Sequence, residues 1–166
     1  MDANYFRFIY DYMCWARDKA LAAAEGLSDE EYARQNSLTY KSIRGILTHC
    51  LTGETVWLPR VRGEQGSLVS EAEVPDVASL RARWAEEESK HRAYLSKLTD
   101  ADVAADVVFT GRDGNERRIP SWQILTLVFH HTVQHRSEAA EALTMVGHSP
   151  GDMDLLVYTR EVGSNR

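Results

Sequence analysis

The sequence has little of several features that mark particular classes of protein. Its two cysteines, Cys14 and Cys50, are too few for a disulfide framework, so we expect reduced thiols in a cytoplasmic protein. The longest apolar run, from Ile124 to Phe129, is far shorter than the ~20 residues that a membrane-spanning helix needs. The N-terminal stretch carries an acidic residue at Asp2 and no basic segment, which argues against a signal peptide.

A polybasic block is also absent. The chain has 19 Lys and Arg residues interspersed among 25 Asp and Glu residues, and its formal net charge is −6. Because a basic patch is the usual footprint of nucleic-acid binding, we expect neither a nucleic acid nor a membrane as a partner. The chain of 166 residues is long enough to bury a core, and it has no internal repeat. We therefore predict a single domain over residues 1–166.

Four long stretches have apolar residues at helical spacing, and residues typical of helix ends flank them. The spacing predicts helices over about residues 2–25, 41–62, 76–98 and 121–146. The flanking residues are Ser42 and Asp76 as N-caps, and Gly26, Gly63 and Gly147 as stops. Capping boxes at Ser28–Glu31 and Thr99–Asp102 predict two short helical turns.

The period changes between residues 106 and 119. Val107, Val108 and Phe109 suit a strand, and the pair Asp113-Gly114 is typical of a hairpin turn. The predicted fold class is therefore all-α, a four-helix bundle with a long crossover that carries a small β-hairpin before the last helix. A short helix is also expected around residues 154–158.

The last predicted helix carries two histidines on its apolar face. This face is formed by Ile124, Val128, His131, His135, Ala139, Ala142 and Val146. Histidines at positions i and i+4 can direct their ring nitrogens towards one ion. Alternatively, each ring is a core histidine that is satisfied by a hydrogen bond.

Two known metal motifs do not fit. The segment from His131 to His135 has Thr132 where the zincin motif requires a glutamate as general base. Glu88 and His91 form a single ExxH, whereas a di-iron bundle needs two such motifs and two further glutamates. We therefore interpret His91 as a core or rim histidine, and by position we interpret His148 as a solvent-facing loop residue.

His49 is then the best third imidazole. It lies beside the apolar face of the second long helix, one turn before Gly53, which costs helix stability unless it permits a close approach. Three neutral histidines leave at least one coordination position open, and an open position is typical of catalytic rather than structural metal sites. Water or the thiolate of a small substrate would fill that position.

Three stretches together resemble the DinB-like family of metal-binding four-helix bundles. They are Tyr12-Met-Cys-Trp15-Ala16; Ser42-Ile43-Arg-Gly45-Ile46-Leu47-Thr-His49 with Glu54 and Trp57; and His131 to Arg136 with Gly147, Pro150 and Asp154. The sequence departs from the family where Ser137 and Glu138 replace a frequent Gly-Gln, and where His130 replaces a frequent Asn.

The resemblance implies a divalent ion such as zinc or nickel, bound by His49, His131 and His135, and it implies a homodimer. Some relatives use a low-molecular-weight thiol, such as bacillithiol, mycothiol or glutathione, in transfer or isomerisation reactions, whereas many have no known activity. The link of the family name to DNA damage concerns expression and not DNA binding.

Three hypotheses about function follow. The first is a metal-dependent enzyme that activates a thiol or water, in particular a thiol S-transferase. The second is a non-enzymatic stress-response dimer whose metal is structural or incidental. The third is a ligand-binding bundle without a metal, for which His131→Ala would change nothing.

Several side chains have alternative interpretations. Arg136 would bind the cofactor by orienting an anionic group, unless it lies on the solvated side of its helix. Glu54 is either a base near the metal or a member of a surface ion pair. The four tryptophans line a pocket or belong to the core, and Cys50 is interpreted as a small buried hydrophobe.

Overall fold

The computed structural model describes residues 1–35, 40–111 and 113–162. Its four long helices are α1 (Ala3–Ala24), α3 (Ile43–Val61), α4 (Val77–Leu95) and α6 (Ser121–Met145). Three short helices accompany them within the described residues: α2 (Asp29–Ala33), α5 (Asp100–Ala104) and α7 (Leu155–Glu161). Strands β1 (Asp106–Thr110) and β2 (Glu116–Pro120) pair antiparallel immediately before α6. The predicted fold class is thereby confirmed.

Most helix ends are formed as the sequence predicts. Ser42 accepts a hydrogen bond from the Gly45 amide, and Asp76 accepts one from the Ser79 amide. Gly63 and Gly147 follow α3 and α6 with φ of 75° and 87°, the left-handed conformation that favours glycine after a helix. The largest difference is in α4, which ends at Leu95 and not near residue 98.

One cluster of buried apolar residues joins all four long helices. Buried residues include Leu21 on α1, Leu47 and Leu51 on α3, Leu80 on α4 and Leu143 on α6. Helices α3 and α6 pack against each other, and this interface brings together the residues of the candidate site.

No helix in the described ranges combines the length and the apolarity needed to cross a bilayer.

Candidate metal centre

The three predicted histidines meet where α3 packs on α6. The ring centroids of His49 and His131 are 4.8 Å apart, those of His49 and His135 are 4.5 Å apart, and those of His131 and His135 are 4.6 Å apart. One nitrogen from each ring lies within 4.8 Å of one nitrogen from each of the others. The predicted convergence is confirmed, and the group is close enough to hold a metal ion between its members.

Gly53 makes room for one of these rings. A Cβ atom at this position would overlap the imidazole of His131 and would lie only 2.6 Å from its Nε2. The glycine therefore lets a side chain of α6 lie against the backbone of α3. This contact explains why a glycine occupies the position although it destabilises a helix relative to alanine.

The ring nitrogen of His131 provides the test of whether a metal fits. Nε2 of His131 is inaccessible to solvent and has no hydrogen-bond partner among the described residues. Such a buried polar atom without a partner costs free energy unless something binds it. A cation between the three rings would accept its lone pair, so the residues present fit a divalent metal.

A carboxylate orients the third ring. Nδ1–H of His135 donates a hydrogen bond to Oε2 of Glu138 over 2.9 Å. This bond selects the tautomer in which the lone pair is on Nε2, which is the arrangement in which carboxylates commonly support metal-binding histidines. Glu138, one of the departures from the family pattern, was not predicted as part of the site. Its position three residues after His135 on one helix is the signal that would have indicated it.

Tyr40 is the second residue that the sequence analysis missed. Its ring stacks on His49 with centroids 3.9 Å apart, and it meets His135 edge-on at 5.2 Å. Its hydroxyl lies 2.8 Å from Nε2 of His49. Tyr40 belongs to no helix and stands outside every periodic pattern, so helical spacing gave no sign of it.

The surroundings favour the metal-binding form of the histidines. Burial, together with the neighbouring His135 and His131, lowers the pKa of His49 to about 4. Burial and His135 likewise lower the pKa of His131. Both rings are therefore neutral at pH 7, and a neutral imidazole is the form that donates a lone pair to a metal.

Arg136 and Glu54 lie elsewhere, in the core between the helices. Arg136 is only 6% exposed, so the interpretation that it lies on a solvated face is wrong. Its Nη2 donates to the hydroxyl of Tyr12 over 3.2 Å. Glu54, at 4% exposed, is not in a surface ion pair, because its Oε1 accepts a hydrogen bond from Nε1 of Trp84 over 2.9 Å. Both residues line an internal cavity together with Arg17.

The remaining predicted residues have structural partners. His91 is 1% exposed and packs against Tyr10 and Tyr94, which confirms it as a core histidine. Glu88 binds Arg17 and Arg92 in ion pairs, as expected of a carboxylate that holds no metal.

The other residues left open by the sequence divide between core and surface. Trp84 and Cys50 are buried in the core, Trp15 and Trp57 are half-buried, and Trp122 is exposed. His148 is only half-buried and packs against Gly26, so it does not face solvent freely.

The donor set consists of three imidazoles, with a carboxylate behind one of them and a phenol beside another. Four-coordinate zinc bound by three protein side chains retains a position for water or a substrate. His49 and His131 are only half-buried, so the group lies close to the protein surface.

Comparison with known proteins agrees with this geometry. The family model described as the DinB family matches residues 1–164. A search of curated proteins found no match.

Proposed function

Since this chain belongs to the DinB family, we propose that it is a metal-dependent enzyme whose divalent ion is bound by His49, His131 and His135. The proposed activity is the activation of a low-molecular-weight thiol, in an S-transferase or isomerase reaction, or the activation of water. We propose zinc or nickel as the metal because the family resemblance implies these ions, whereas imidazole ligands suit copper and iron as well.

The observation that carries this proposal is the convergence of three imidazoles, with one nitrogen of each ring within 4.8 Å of the others and Nε2 of His131 buried without a partner. Nδ1 of the core residue His91 is also buried and unpartnered, but the ring of His131 differs from it in lying beside two further imidazoles. A bound ion would lower the pKa of a thiol or a water molecule held at its open position and so produce a nucleophile at neutral pH.

The protein side chains have separate roles in this proposal. The hydrogen bond from His135 to Glu138 fixes the orientation of one ligand. Burial keeps His49 and His131 neutral, so no proton has to leave them when the metal binds. In an S-transfer, the thiol sulfur forms a bond to the electrophilic atom, the leaving group departs with the electron pair, and the thiol proton passes to solvent.

The first test is metal stoichiometry. Wild-type protein is expected to retain about one equivalent of zinc or nickel after dialysis, whereas His131→Ala loses it because one of three ligands is removed. His130→Ala is the matched control, since His130 is the exposed neighbour on the same helix and should keep its metal. Stoichiometric metal in His131→Ala would overturn the three-histidine assignment.

The second test is activity. We propose to offer metal-loaded protein a panel of thiols (bacillithiol, mycothiol and glutathione) with electrophilic acceptors, and to follow loss of the free thiol. Turnover by the wild type that is lost in His131→Ala would support the enzyme. His130→Ala again serves as the control.

The rival proposal is a non-enzymatic stress-response dimer with a structural or incidental metal. It is favoured by the altered residues Ser137 and Glu138 after the last ligand and by the absence of an obvious catalytic base in the sequence around the ligands. A metal that does not exchange, together with no turnover of any thiol, would favour this second function.

Further parts of the proposal concern the setting of the protein. We propose a homodimer located in the cytoplasm, with no nucleic acid or membrane as partner. Arg136 as a cofactor-binding residue remains a prediction, and its guanidinium would act from within the core and not from the solvent side. Size-exclusion chromatography with light scattering would test the dimer.

A further inference from the structure

Tyr40 is held beside the three histidines by several independent features of the chain. The amide of Ser42 donates to the carbonyl of Tyr40 over 2.8 Å, and Lys41 between them adopts a φ of 65°. This left-handed conformation is uncommon for a residue with a long side chain and costs free energy. The tight turn thus directs the chain back over the first turn of α3.

Gly45 allows this turn to lie close to the helix. A Cβ atom at Gly45 would overlap the carbonyl oxygen of Tyr40. The Gly45 amide also donates to the hydroxyl of Ser42, the N-cap of α3. One glycine therefore both accommodates the Tyr40 backbone and takes part in the cap, so the position of Tyr40 is fixed by the start of the helix that carries His49.

The orientation of the ring determines what its hydroxyl can do. The planes of Tyr40 and His49 are only 17° apart, and the hydroxyl lies within hydrogen-bond distance of Nε2 of His49. A metal that binds His49 through Nε2 would take up the lone pair of that nitrogen, and the hydroxyl would then be released to donate its proton to another acceptor. The hydroxyl is consequently beside the donor group and not one of its members.

We propose that Tyr40 is a ligand-binding residue of this site, which donates a hydrogen bond from its hydroxyl to the small molecule held between the histidines. The inference rests on the proposed metal-binding function and adds the class of group that the site accepts. That group is an anion or thiolate with a lone pair directed at Tyr40. A phenol donates a hydrogen bond well, and bonds to charged acceptors are the stronger ones.

Cobalt(II) and azide provide a direct test. Metal-free protein is loaded with Co²⁺. The visible absorption of the bound Co²⁺ reports both its own binding and the binding of azide as an added anion. Tyr40→Phe keeps the stacked ring and removes only the hydroxyl. We expect the Kd for azide to rise about tenfold, as a lost hydrogen bond to a charged group predicts, whereas the Kd for Co²⁺ changes less than twofold.

The matched control is Tyr5→Phe, which removes a hydroxyl from an exposed tyrosine on α1 and should leave both constants unchanged. Circular dichroism of each variant verifies folding. Equal azide affinity in the wild type and Tyr40→Phe would overturn the inference while leaving the metal site intact. A large loss of Co²⁺ affinity in Tyr40→Phe would also overturn it, because Tyr40 would then be a metal ligand. Failure of the wild type to bind Co²⁺ would instead reject the proposed function.

Discussion

Single residues at this site show the limits of pattern analysis most clearly. His131 and His135 were predicted from their spacing because both lie on one helix, and a period of 3.6 residues fixes their relation. The close approach at Gly53 was one interpretation of a glycine within a helix, and the contact with His131 confirms it. Tyr40 was not predicted, because a turn with a left-handed Lys41 places it and no period applies there.

Gly53→Ala tests the close approach of the two helices. The added methyl group would overlap the His131 ring, which must rotate away from the cluster. We expect the affinity for zinc to fall at least tenfold, measured by competition with a chromophoric chelator.

The same substitution in the His131→Ala variant tests whether the added methyl group acts through the His131 ring. In His131→Ala the ring is absent, so Gly53→Ala should there raise the free energy of unfolding, by up to ~1 kcal/mol from helix propensity alone. A denaturant titration of the metal-free variants measures this difference. Destabilisation of similar size in both backgrounds would show that the methyl group clashes with something other than His131.

At the scale of helices, the periodic pattern predicted α1, α3 and α6 within one or two residues at each end. Caps and glycine stops are local signals, so their effect can be read without knowing the tertiary structure. The polar core could not be predicted in this way. Glu54 has an ionisable side chain, and its burial depends on Trp84 from α4 and on arginines from α1 and α6. Only the packing of four helices reveals those partners.

The protonation of Glu54 makes the stability of the folded protein depend on pH. Burial raises the pKa of Glu54 to about 7, against a usual value of 4.5. The folded state therefore retains the proton while the unfolded chain releases it. The favourable contribution of this protonation to the free energy of unfolding is complete below pH 4.5, and it is lost as the pH rises through about 7.

Glu54→Gln measures this contribution, since the amide oxygen can still accept the hydrogen bond of Trp84. We expect the variant to gain stability over the wild type between pH 4.5 and 7, with a plateau above that range. The total gain is on the order of 3 kcal/mol. Chemical denaturation of metal-free protein at several pH values gives the difference, and Glu86→Gln, on the exposed face of α4, is the control. A difference independent of pH would contradict the raised pKa.

At the scale of the whole molecule, the candidate site joins two distant parts of the chain. His49 lies on α3, and its two partners lie on α6, more than 80 residues later. The bundle and its hairpin followed from local patterns, but the choice of His49 needed an assumption about which helices are neighbours. An ion held by all three rings would bind the folded state and have much lower affinity for the unfolded chain. Metal binding should therefore stabilise the entire bundle.

The expected size of this effect follows from linkage. At a free metal concentration of 100 times Kd, binding to the folded state contributes ~2.7 kcal/mol. For a domain of this size that corresponds to a rise in Tm of roughly 5–10 °C. Differential scanning fluorimetry with zinc, followed by excess EDTA, measures the shift and its reversal. His131→Ala should show almost no shift, whereas His130→Ala should match the wild type. A shift of equal size in His131→Ala would mean that the metal stabilises the bundle from another site, because the third ligand is essential to the one described.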